Sequence, residues 1–329
     1  PISAAIGDVN GDGRPDLVAS DFGANTVSVL LGNGAGGFGP KTEFATAASP
    51  RGVALADLNG DGVLDIAVAA EGANAVSVLL GKGAGEFADR SDFPTGYGPY
   101  EVAVGDVDGD GRPDLVAVTY TYGMVSVLLG DGSGGFGAMT NFAVGLNPQS
   151  VAIGDVNGDG RPDLAVASSG DDTALVLLGN GTGGFGTKTD FGTGSSPMSA
   201  AIGDLNGDAK PDLAVACDGS ATVSVLLGSG NGAFGVKTDF GTGSSPYCVA
   251  IGDLNGDGKP DLAVANRLSN TVSVLLGNGN GTFGAKTDFG TGSNPRSVAI
   301  GDVNGDAIPD LAVANYTSNT VSVLLGNGN

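Results

Sequence analysis

The chain of 329 residues contains no histidine, no tryptophan and only two cysteines. Without histidine, Ser–His and Cys–His catalytic pairs and histidine-ligated zinc sites are excluded. Two cysteines make no disulfide framework, although Cys217 and Cys248 can form one bond or lie as two neighbouring thiols. No apolar run reaches the ~18 residues of a membrane span, so membrane insertion is not expected.

Basic residues are also few: 14 Lys and Arg stand against 36 Asp and Glu, which gives a formal net charge of −22. Seven short loops hold 22 of the aspartates, three in each of six loops and four in the third, so the rest of the chain is neutral. A negative surface disfavours nucleic acids and anionic membranes as partners. The apolar content of 41% is enough for a folded core.

The aspartate-rich loop returns every 49 residues, without insertion or deletion. The first residues of the seven loops are Asp8, Asp57, Asp106, Asp155, Asp204, Asp253 and Asp302. A period of ~40–50 residues that divides into short strands is typical of propeller blades, and no helical periodicity is visible.

The sixth unit, residues 246–294, shows the pattern most clearly. "CVAIGDL", "LAVAN" and "TVSVLLG" indicate three strands, separated by the loop "NGDGKPD" and the turn "RLSN". "NGNG" indicates a hairpin turn, and "TFGAKTDF" a fourth strand. We therefore predict an all-β, seven-bladed propeller with four antiparallel strands per blade, whose closed ring leaves little exposed sheet edge.

The predicted propeller is a single domain over residues 1–329. The last unit lacks 14 residues, which correspond to a fourth strand after Asn329. Either blade seven has three strands or the natural chain continues beyond Asn329, and we expect the second. The approximate blade boundaries are 1–49, 50–98, 99–147, 148–196, 197–245, 246–294 and 295–329.

Positions 1, 3, 5, 7 and 9 of each loop are candidate metal ligands. Alternate residues of a tight turn point inward, so side-chain oxygens and the position-7 backbone carbonyl can surround one cation. Oxygen-only donors favour Ca²⁺. The candidates are Asp8, Asn10, Asp12, Arg14, Asp16; Asp57, Asn59, Asp61, Val63, Asp65; Asp106, Asp108, Asp110, Arg112, Asp114; Asp155, Asn157, Asp159, Arg161, Asp163; Asp204, Asn206, Asp208, Lys210, Asp212; Asp253, Asn255, Asp257, Lys259, Asp261; and Asp302, Asn304, Asp306, Ile308, Asp310.

These loops differ from an EF-hand, which has Glu at position 12, where this chain has an apolar strand residue such as Ala19. A metal-free turn is disfavoured, because clustered carboxylates repel one another and the pattern requires no Lys or Arg to relieve them. Asp108 adds a carboxylate to the third loop, while Ala209 and Ala307 replace a position-6 glycine where φ > 0 is expected. Of up to seven Ca²⁺ sites, we expect the third to be tightest and the fifth and seventh weakest.

With "GDVNGDGRPDL" and the Phe-Gly pair of "GGFG", the whole chain resembles the FG-GAP or VCBS repeat family of integrin α-subunit propellers and secreted microbial propellers. The "GAP" triplet is replaced by strings such as "AVAN" and "AVAC". The resemblance implies a seven-bladed propeller with Ca²⁺ between strands one and two on the lower face. It also implies that the upper face often binds ligands.

Aromatic residues divide into repeated and unrepeated sets. Twelve of the 13 phenylalanines recur at two positions in the fourth-strand region and are expected to pack between blades. Phe22 and all six tyrosines lie in loops at the opposite end from the aspartate loops. These unrepeated aromatic residues either accumulated in surface loops that diverged without function or form a ligand site. The candidate ligand residues fall into two clusters, and Arg51 lies further round the ring. The clusters are Tyr97, Tyr100, Glu101, Tyr120 and Tyr122; and Tyr247, Arg267, Arg296 and Tyr316.

We therefore predict a non-catalytic, lectin-like or adhesive binding module, monomeric, with a carbohydrate or protein ligand on the upper face. Calcium sites of extracellular modules bind at roughly 10⁻⁴–10⁻³ M, so we expect a secreted or cell-surface protein. The alternatives are a structural spacer within a larger surface protein, and a polysaccharide-acting lyase or hydrolase that uses rim acids and tyrosines. The adjacent Asp171 and Asp172 are expected to form a solvated turn rather than an acid/base pair.

Overall fold

The structure is a computed structural model that describes residues 1–328, which form seven antiparallel sheets arranged as blades. Each blade starts with an innermost strand that ends immediately before the aspartate loop. Six of these strands begin at a proline, a residue tolerated at the first position of a strand because it lacks an N–H. The innermost strands are β1 (Ala4–Gly7), β5 (Pro50–Ala56), β9 (Pro99–Gly105), β13 (Pro148–Gly154), β17 (Pro197–Gly203), β21 (Pro246–Gly252) and β25 (Pro295–Gly301).

The second strand of each blade is its most buried element, and apolar residues fill both of its faces because a neighbouring blade covers each side. These strands are β2 (Asp16–Asp21), β6 (Asp65–Ala70), β10 (Asp114–Thr119), β14 (Asp163–Ser168), β18 (Asp212–Cys217), β22 (Asp261–Asn266) and β26 (Asp310–Asn315). The short 3₁₀ helix Glu71–Ala73 follows β6.

The third and fourth strands lead to the outer surface. The third strands are β3 (Thr26–Leu30), β7 (Ala75–Leu79), β11 (Met124–Leu128), β15 (Thr173–Leu177), β19 (Thr222–Leu226), β23 (Thr271–Leu275) and β27 (Thr320–Leu324). The fourth strands, which are largely exposed, are β4 (Thr42–Ala45), β8 (Ser91–Pro94), β12 (Thr140–Ala143), β16 (Thr189–Gly192), β20 (Thr238–Gly241) and β24 (Thr287–Gly290). Within residues 1–328, blade seven has the three strands β25–β27.

The predicted fold is confirmed, but the fourth strand is shorter than predicted. In blade six, Phe283 forms only a single bridge with Gly277, and the regular ladder with β23 runs from Thr287 to Gly290. The segment between them leaves the ladder after the Gly284 N–H donates to the Leu276 carbonyl. The predicted strand "TFGAKTDF" is therefore two separate contacts with the third strand.

The recurring phenylalanines pack between blades, as predicted. The second phenylalanine of one blade meets the first of the next edge to face, at 5.0–5.3 Å between ring centroids. The pairs are Phe44–Phe87, Phe93–Phe136, Phe142–Phe185, Phe191–Phe234 and Phe240–Phe283. Phe289, which faces blade seven, is 43% exposed.

The ring closes between blades one and seven through the innermost strands, because β1 contacts both β5 and β25. The Ala4 N–H donates to Ser297 Oγ at 3.3 Å, and the Gly36 N–H donates to the Val303 carbonyl at 3.2 Å. Among the described residues, no helix has the length and hydropathy of a membrane-spanning segment.

Both cysteines are free thiols, so a disulfide is not formed. Cys217 belongs to the apolar core between blades four and five, where its Sγ lies 3.5 Å from Ser224 Oγ. Cys248 lies near the propeller axis with its Sγ 3.9 Å from the Val298 carbonyl oxygen. The two thiols have different neighbours because one lies between blades and the other at the axis.

Candidate functional site

The aspartate loops lie at one end of the blades, and the position-1 carboxylate organises each of them. Asp8 accepts hydrogen bonds from the N–H groups of Gly11 and Gly13, both at 2.7 Å, and from Asn10 and Asp12 at longer distances. Burial raises the pKa of Asp8, but these donors, led by Gly13, outweigh it and lower the pKa. Asp8 is therefore ionised and held in a fixed orientation.

The position-9 aspartate has a structural role that the sequence pattern does not reveal. Asp16 is fully buried and accepts one N–H on each oxygen, from Val9 at 3.0 Å and from Gly32 at 2.8 Å. It thus ties the loop to the end of β3. Burial raises the pKa of Asp16, and the nearby Asp12 and Asp8 carboxylates raise it further. The same two bonds recur at Asp65, Asp114, Asp163, Asp212, Asp261 and Asp310.

In four loops the position-5 carboxylate pairs with the basic side chain at position 7, although the repeat pattern does not require a basic residue there. In loop three, Arg112 Nη1 lies 3.3 Å from Asp110 Oδ2. Comparable pairs of position 7 with position 5 occur in loops four, five and six. In loop two, where position 7 is Val63, the Asn59 amide donates to Asp61 instead at 3.0 Å. In loop seven, where position 7 is Ile308, the Asn304 amide likewise donates to Asp306.

Loop three contains the most carboxylates, because its position 3 is Asp108 where the other loops have asparagine. Carboxylate oxygens of Asp106, Asp108 and Asp114 all lie within 4.8 Å of one another, the one such acidic group among residues 1–328. Burial raises the pKa of Asp108, and repulsion from Asp110 and Asp106 adds to it. A hard divalent cation that accepts oxygen ligands would relieve this repulsion, so the donor set fits Ca²⁺. Ala209 and Ala307 adopt φ of 61° and 66°, the left-handed conformation expected at position 6.

The opposite end of the blades contains a small pocket on the propeller axis, with a volume of about 70 Å³. The innermost strands of blades two to seven line it together with Ile2 and Ser3, which precede β1, so we call it the axial pocket. Its upper ring consists of the residue after each strand-opening proline and its counterpart in blade one. These residues are Ile2, Arg51, Tyr100, Gln149, Met198, Tyr247 and Arg296. Unlike the core positions, this position changes from blade to blade.

The next residue of each strand forms an inner ring that joins neighbouring blades. In most blades its side chain accepts the N–H of a residue in the following blade, as when Ser150 Oγ accepts from Ala200 at 2.8 Å. Cys248 instead directs its thiol at the Val298 carbonyl, and Gly52 has no side chain, because a Cβ there would lie 2.8 Å from the Cα of Glu101. The ring consists of Ser3, Gly52, Glu101, Ser150, Ser199, Cys248 and Ser297. All of these residues except Ser150 line the axial pocket and form its floor.

Arginine and tyrosine side chains pack against one another on two sides of the pocket mouth. Arg51 lies over Tyr100, with 3.7 Å between Cζ and the ring centroid, and Tyr120 stacks on Tyr100 at 5.4 Å. On the other side, Arg296 lies 4.1 Å from the Tyr316 centroid and 5.4 Å from that of Tyr247. Such contacts hold each guanidinium over an aromatic face.

Tyr247 joins the two predicted clusters. Burial raises its pKa, the adjacent Tyr100 hydroxyl raises it further, and the guanidinium groups of Arg296 and Arg51 oppose the shift. The two clusters, one from blade three and the other from blades six and seven, therefore meet across the axis. Because 147 residues separate Tyr100 from Tyr247 in the chain, the sequence pattern does not reveal this contact.

The remaining predicted ligand residues lie away from the pocket. Tyr97 and Tyr122 form an edge-to-face pair at 5.3 Å and are 59% and 64% exposed. Arg267 lies near Tyr247 at 5.9 Å but pairs with Asp218 at 3.5 Å. The sequence analysis did not identify Gln149, Met198 and Cys248 as pocket residues. Each follows the proline that opens its strand by one or two positions, so aligning the repeats on that proline would have identified them.

Glu101 lies in the floor of the pocket rather than on the rim where the sequence analysis placed it. Burial raises its pKa to about 8, although the Val151 N–H that it accepts opposes the shift. The Cys248 thiol lies nearby, and burial raises the pKa of that thiol to about 11. Both pKa values lie above 7, so the protonated form of each group predominates at neutral pH.

The other rim acids are engaged in local contacts. Glu71 pairs with Arg51 Nε at 2.7 Å. Asp171 accepts the Leu146 N–H and Asp172 accepts the Ser196 N–H, both at 2.7 Å. The adjacent aspartates thus anchor loops, as expected for a turn, and are not arranged as an acid/base pair.

The chain matches the profile of the FG-GAP-like repeat six times, at residues 8–68, 57–117, 108–166, 155–215, 204–264 and 253–313. Each match runs from one aspartate loop through the second strand of the following blade. No curated protein matches the chain in sequence.

Several solved structures share the fold. A lectin from Agrocybe aegerita that specifically recognises non-reducing terminal N-acetylglucosamine is 22% identical, with a TM-score of 0.63 over 98% of this chain and 85% of the lectin. BBS1N, solved in complex with ARL6DN, is 15% identical, with a TM-score of 0.71 over 99% and 92%. Catalytically inactive virginiamycin B lyase from Staphylococcus aureus, solved with quinupristin, is 14% identical, with a TM-score of 0.67 over 99% and 94%.

Proposed function

The chain belongs to the FG-GAP-like repeat family, and from that premise we propose that it is a non-catalytic carbohydrate-binding propeller. Its ligand binds on the upper face, around the axial pocket and the exposed Tyr97–Tyr122 pair. Calcium in the aspartate loops stabilises the opposite face. The observation that carries the proposal is the meeting of Tyr100, Tyr247, Arg51 and Arg296 from four blades at one pocket mouth.

The contrast between the two ends of the blades supports this assignment. The aspartate loops repeat nearly unchanged, as expected of residues that maintain the fold. The upper ring instead has isoleucine, arginine, tyrosine, glutamine and methionine at one repeat position. Tyrosine offers an apolar face and a polar hydroxyl with few rotatable bonds, which suits sugar rings. The lectin neighbour is an example of the same fold with a carbohydrate ligand.

The proposal that the protein is not an enzyme rests on the contacts and protonation of the acidic residues that could act in catalysis. The chain has no histidine, and the rim acids Glu71, Asp171 and Asp172 are engaged in an ion pair or in loop hydrogen bonds. Glu101 has a raised pKa suited to acid/base work, but among its described neighbours there is no second carboxylate. Two carboxyl groups of different pKa are what glycoside hydrolysis usually requires.

The calcium part of the proposal rests on the carboxylate cluster of loop three and on the repetition of its ligand positions. Sites of this kind fill at the millimolar calcium concentrations found outside cells. We therefore propose that the protein acts outside the cell.

The test is a glycan array probed with the purified protein in 2 mM calcium, a concentration chosen at about the upper end of extracellular-module affinities. Wild-type protein should bind a defined subset of glycans, and Y97A/Y122A should lose most of that binding. V236A is the matched control, because Val236 is 95% exposed but lies in blade five before β20, outside the axial pocket and the tyrosine pair.

Failure of the wild-type protein to bind any glycan would overturn the carbohydrate assignment and favour a structural spacer. Release of reducing sugars or unsaturated products from a bound polysaccharide would overturn the non-catalytic assignment. Equal binding by Y97A/Y122A and wild type would exclude the exposed tyrosine pair from the site.

A further inference from the structure

We infer that the axial pocket binds a ligand group carrying a carboxylate next to a hydroxyl, as found on an acidic sugar such as a uronic acid. This inference rests on the proposed carbohydrate-binding function and specifies the chemistry of its central subsite. It is carried by unpartnered polar atoms at the pocket and by an arginine without a carboxylate partner.

Two buried polar atoms of the upper ring lack hydrogen-bond partners among residues 1–328. Arg51 Nη1 is an unpartnered donor, although the Nε of the same side chain is bound to Glu71. Gln149 Oε1 is an unpartnered acceptor on a side chain that is only 8% exposed. Its Nε2 is already bound, to Ser169 Oγ at 3.0 Å and to the Asn147 carbonyl. Buried polar groups normally have partners, so this pair indicates a ligand that both accepts and donates.

Two arginines, Arg51 and Arg296, lie at the axial pocket, although the net charge of the whole protein is −22. Arg296 has no carboxylate partner in the described chain, and its Nε makes one long bond, 3.4 Å, to Asn294 Oδ1. Glu71 balances Arg51, while Glu101 is neutral below about pH 8. The pocket therefore has one uncompensated positive charge at neutral pH, which favours an anionic ligand.

The pocket requires both an anionic group for its arginines and a hydrogen-bond donor for Gln149, and this combination favours a hydroxy-carboxylate over simpler anions. A fully ionised sulfate or phosphate has only acceptor atoms and would leave Gln149 Oε1 unpaired. A neutral sugar has hydroxyl donors but leaves the charge of Arg296 uncompensated. A carboxylate for the two arginines and a hydroxyl for Gln149 satisfy both requirements. A volume of about 70 Å³ admits one such group rather than an oligosaccharide.

The test uses isothermal titration of calcium-loaded protein with sodium glucuronate, glucuronate methyl ester, glucose and sodium sulfate. Glucuronate should bind best, with at least tenfold weaker binding of the ester and of glucose, because a charge-assisted hydrogen bond is roughly twice as strong as a neutral one. R296Q should weaken glucuronate binding about tenfold or more. Q149M should weaken it with less effect on sulfate.

R267Q is the matched control, since Arg267 lies on the same face but pairs with Asp218 and does not line the pocket. An equal loss in R267Q and R296Q would show only a general effect of charge and would overturn the inference. Equal affinity for glucuronate and glucose, or tighter binding of sulfate than of glucuronate, would also overturn it. Binding only of neutral glycans on the array, unaffected by R296Q, would sink the acidic subsite yet leave the carbohydrate-binding function intact.

Discussion

The guanidinium of Arg51 lies 3.7 Å from the ring centroid of Tyr100, and the two residues are one repeat of 49 residues apart. Both occupy the same position, one residue after the proline that opens the innermost strand. Neighbouring copies of this position touch because the innermost strands contact one another around the axis. A change at one repeat position therefore acts on the shared pocket and not only on its own blade.

Glu101 should make the stability of the protein depend on pH. Its pKa is about 8 in the folded protein against an ordinary value of 4.5, so the folded protein binds more protons between these pH values. The free energy of unfolding should consequently fall as pH rises from about 5 to 8, by at most about 1.4 kcal/mol per pH unit, and level off above 8. Urea unfolding at saturating calcium measures this slope.

E101Q should remove that part of the slope, because glutamine stays neutral throughout. E43Q is the control, since Glu43 lies on the exposed strand β4 and pairs with Lys41. The Cys248 thiol, with a pKa of about 11, titrates above the window. An E101Q profile identical to wild type would show that Glu101 is ionised at neutral pH in the folded protein.

The position-6 alanines should respond differently from ordinary alanines to replacement by glycine. Ala209 and Ala307 have φ of 61° and 66°, so A209G and A307G should each raise the free energy of unfolding by roughly 0.5–1 kcal/mol. A35G is the control, because Ala35 is an exposed loop residue without positive φ and should lose a similar amount. Thermal unfolding without calcium separates this backbone effect from metal binding, and destabilisation by all three would contradict it.

Calcium should stabilise the propeller, and its third loop should bind most tightly. A chelator is expected to lower the melting temperature, because metal that binds only the folded loop adds to stability. D108N gives the third loop the same residue at position 3 as the other six and should weaken the tightest site in a calcium titration. D131N removes an equal charge from the same blade, at a position where blades one and four have Asn33 and Asn180, and should leave the titration unchanged.

A fourth strand added to blade seven should stabilise the ring. Appending a copy of residues 281–294 to Asn329 supplies a partner for β27, the outermost strand of blade seven within residues 1–328. Its two phenylalanines would pack against Phe289 and Phe38, by analogy with the five pairs between other blades. We expect a higher melting temperature and a larger denaturant m-value, since more surface is buried. A copy with both phenylalanines changed to serine should raise the melting temperature only slightly. Equal increases with the two copies would contradict the proposed phenylalanine pairing.

The sequence by itself determined the propeller, the number of blades and the faces on which loops and tyrosines lie. These features follow from a 49-residue period and from local patterns such as alternating strands and glycine-rich turns. The aspartates of each loop are close in the chain, so their spacing was sufficient to group them. The division of the phenylalanines into two recurring positions was likewise visible in the repeat.

Only the tertiary structure decided which unrepeated residues meet. Tyr100 and Tyr247 touch, and Glu101 lies half-buried in the pocket floor, because the inner ends of seven blades converge on one axis in a particular register. The hydrogen bond from the Gly32 N–H to Asp16 likewise joins positions 16 residues apart through strand pairing. Contacts of this kind depend on the curvature of the closed ring, and a linear pattern does not contain that curvature.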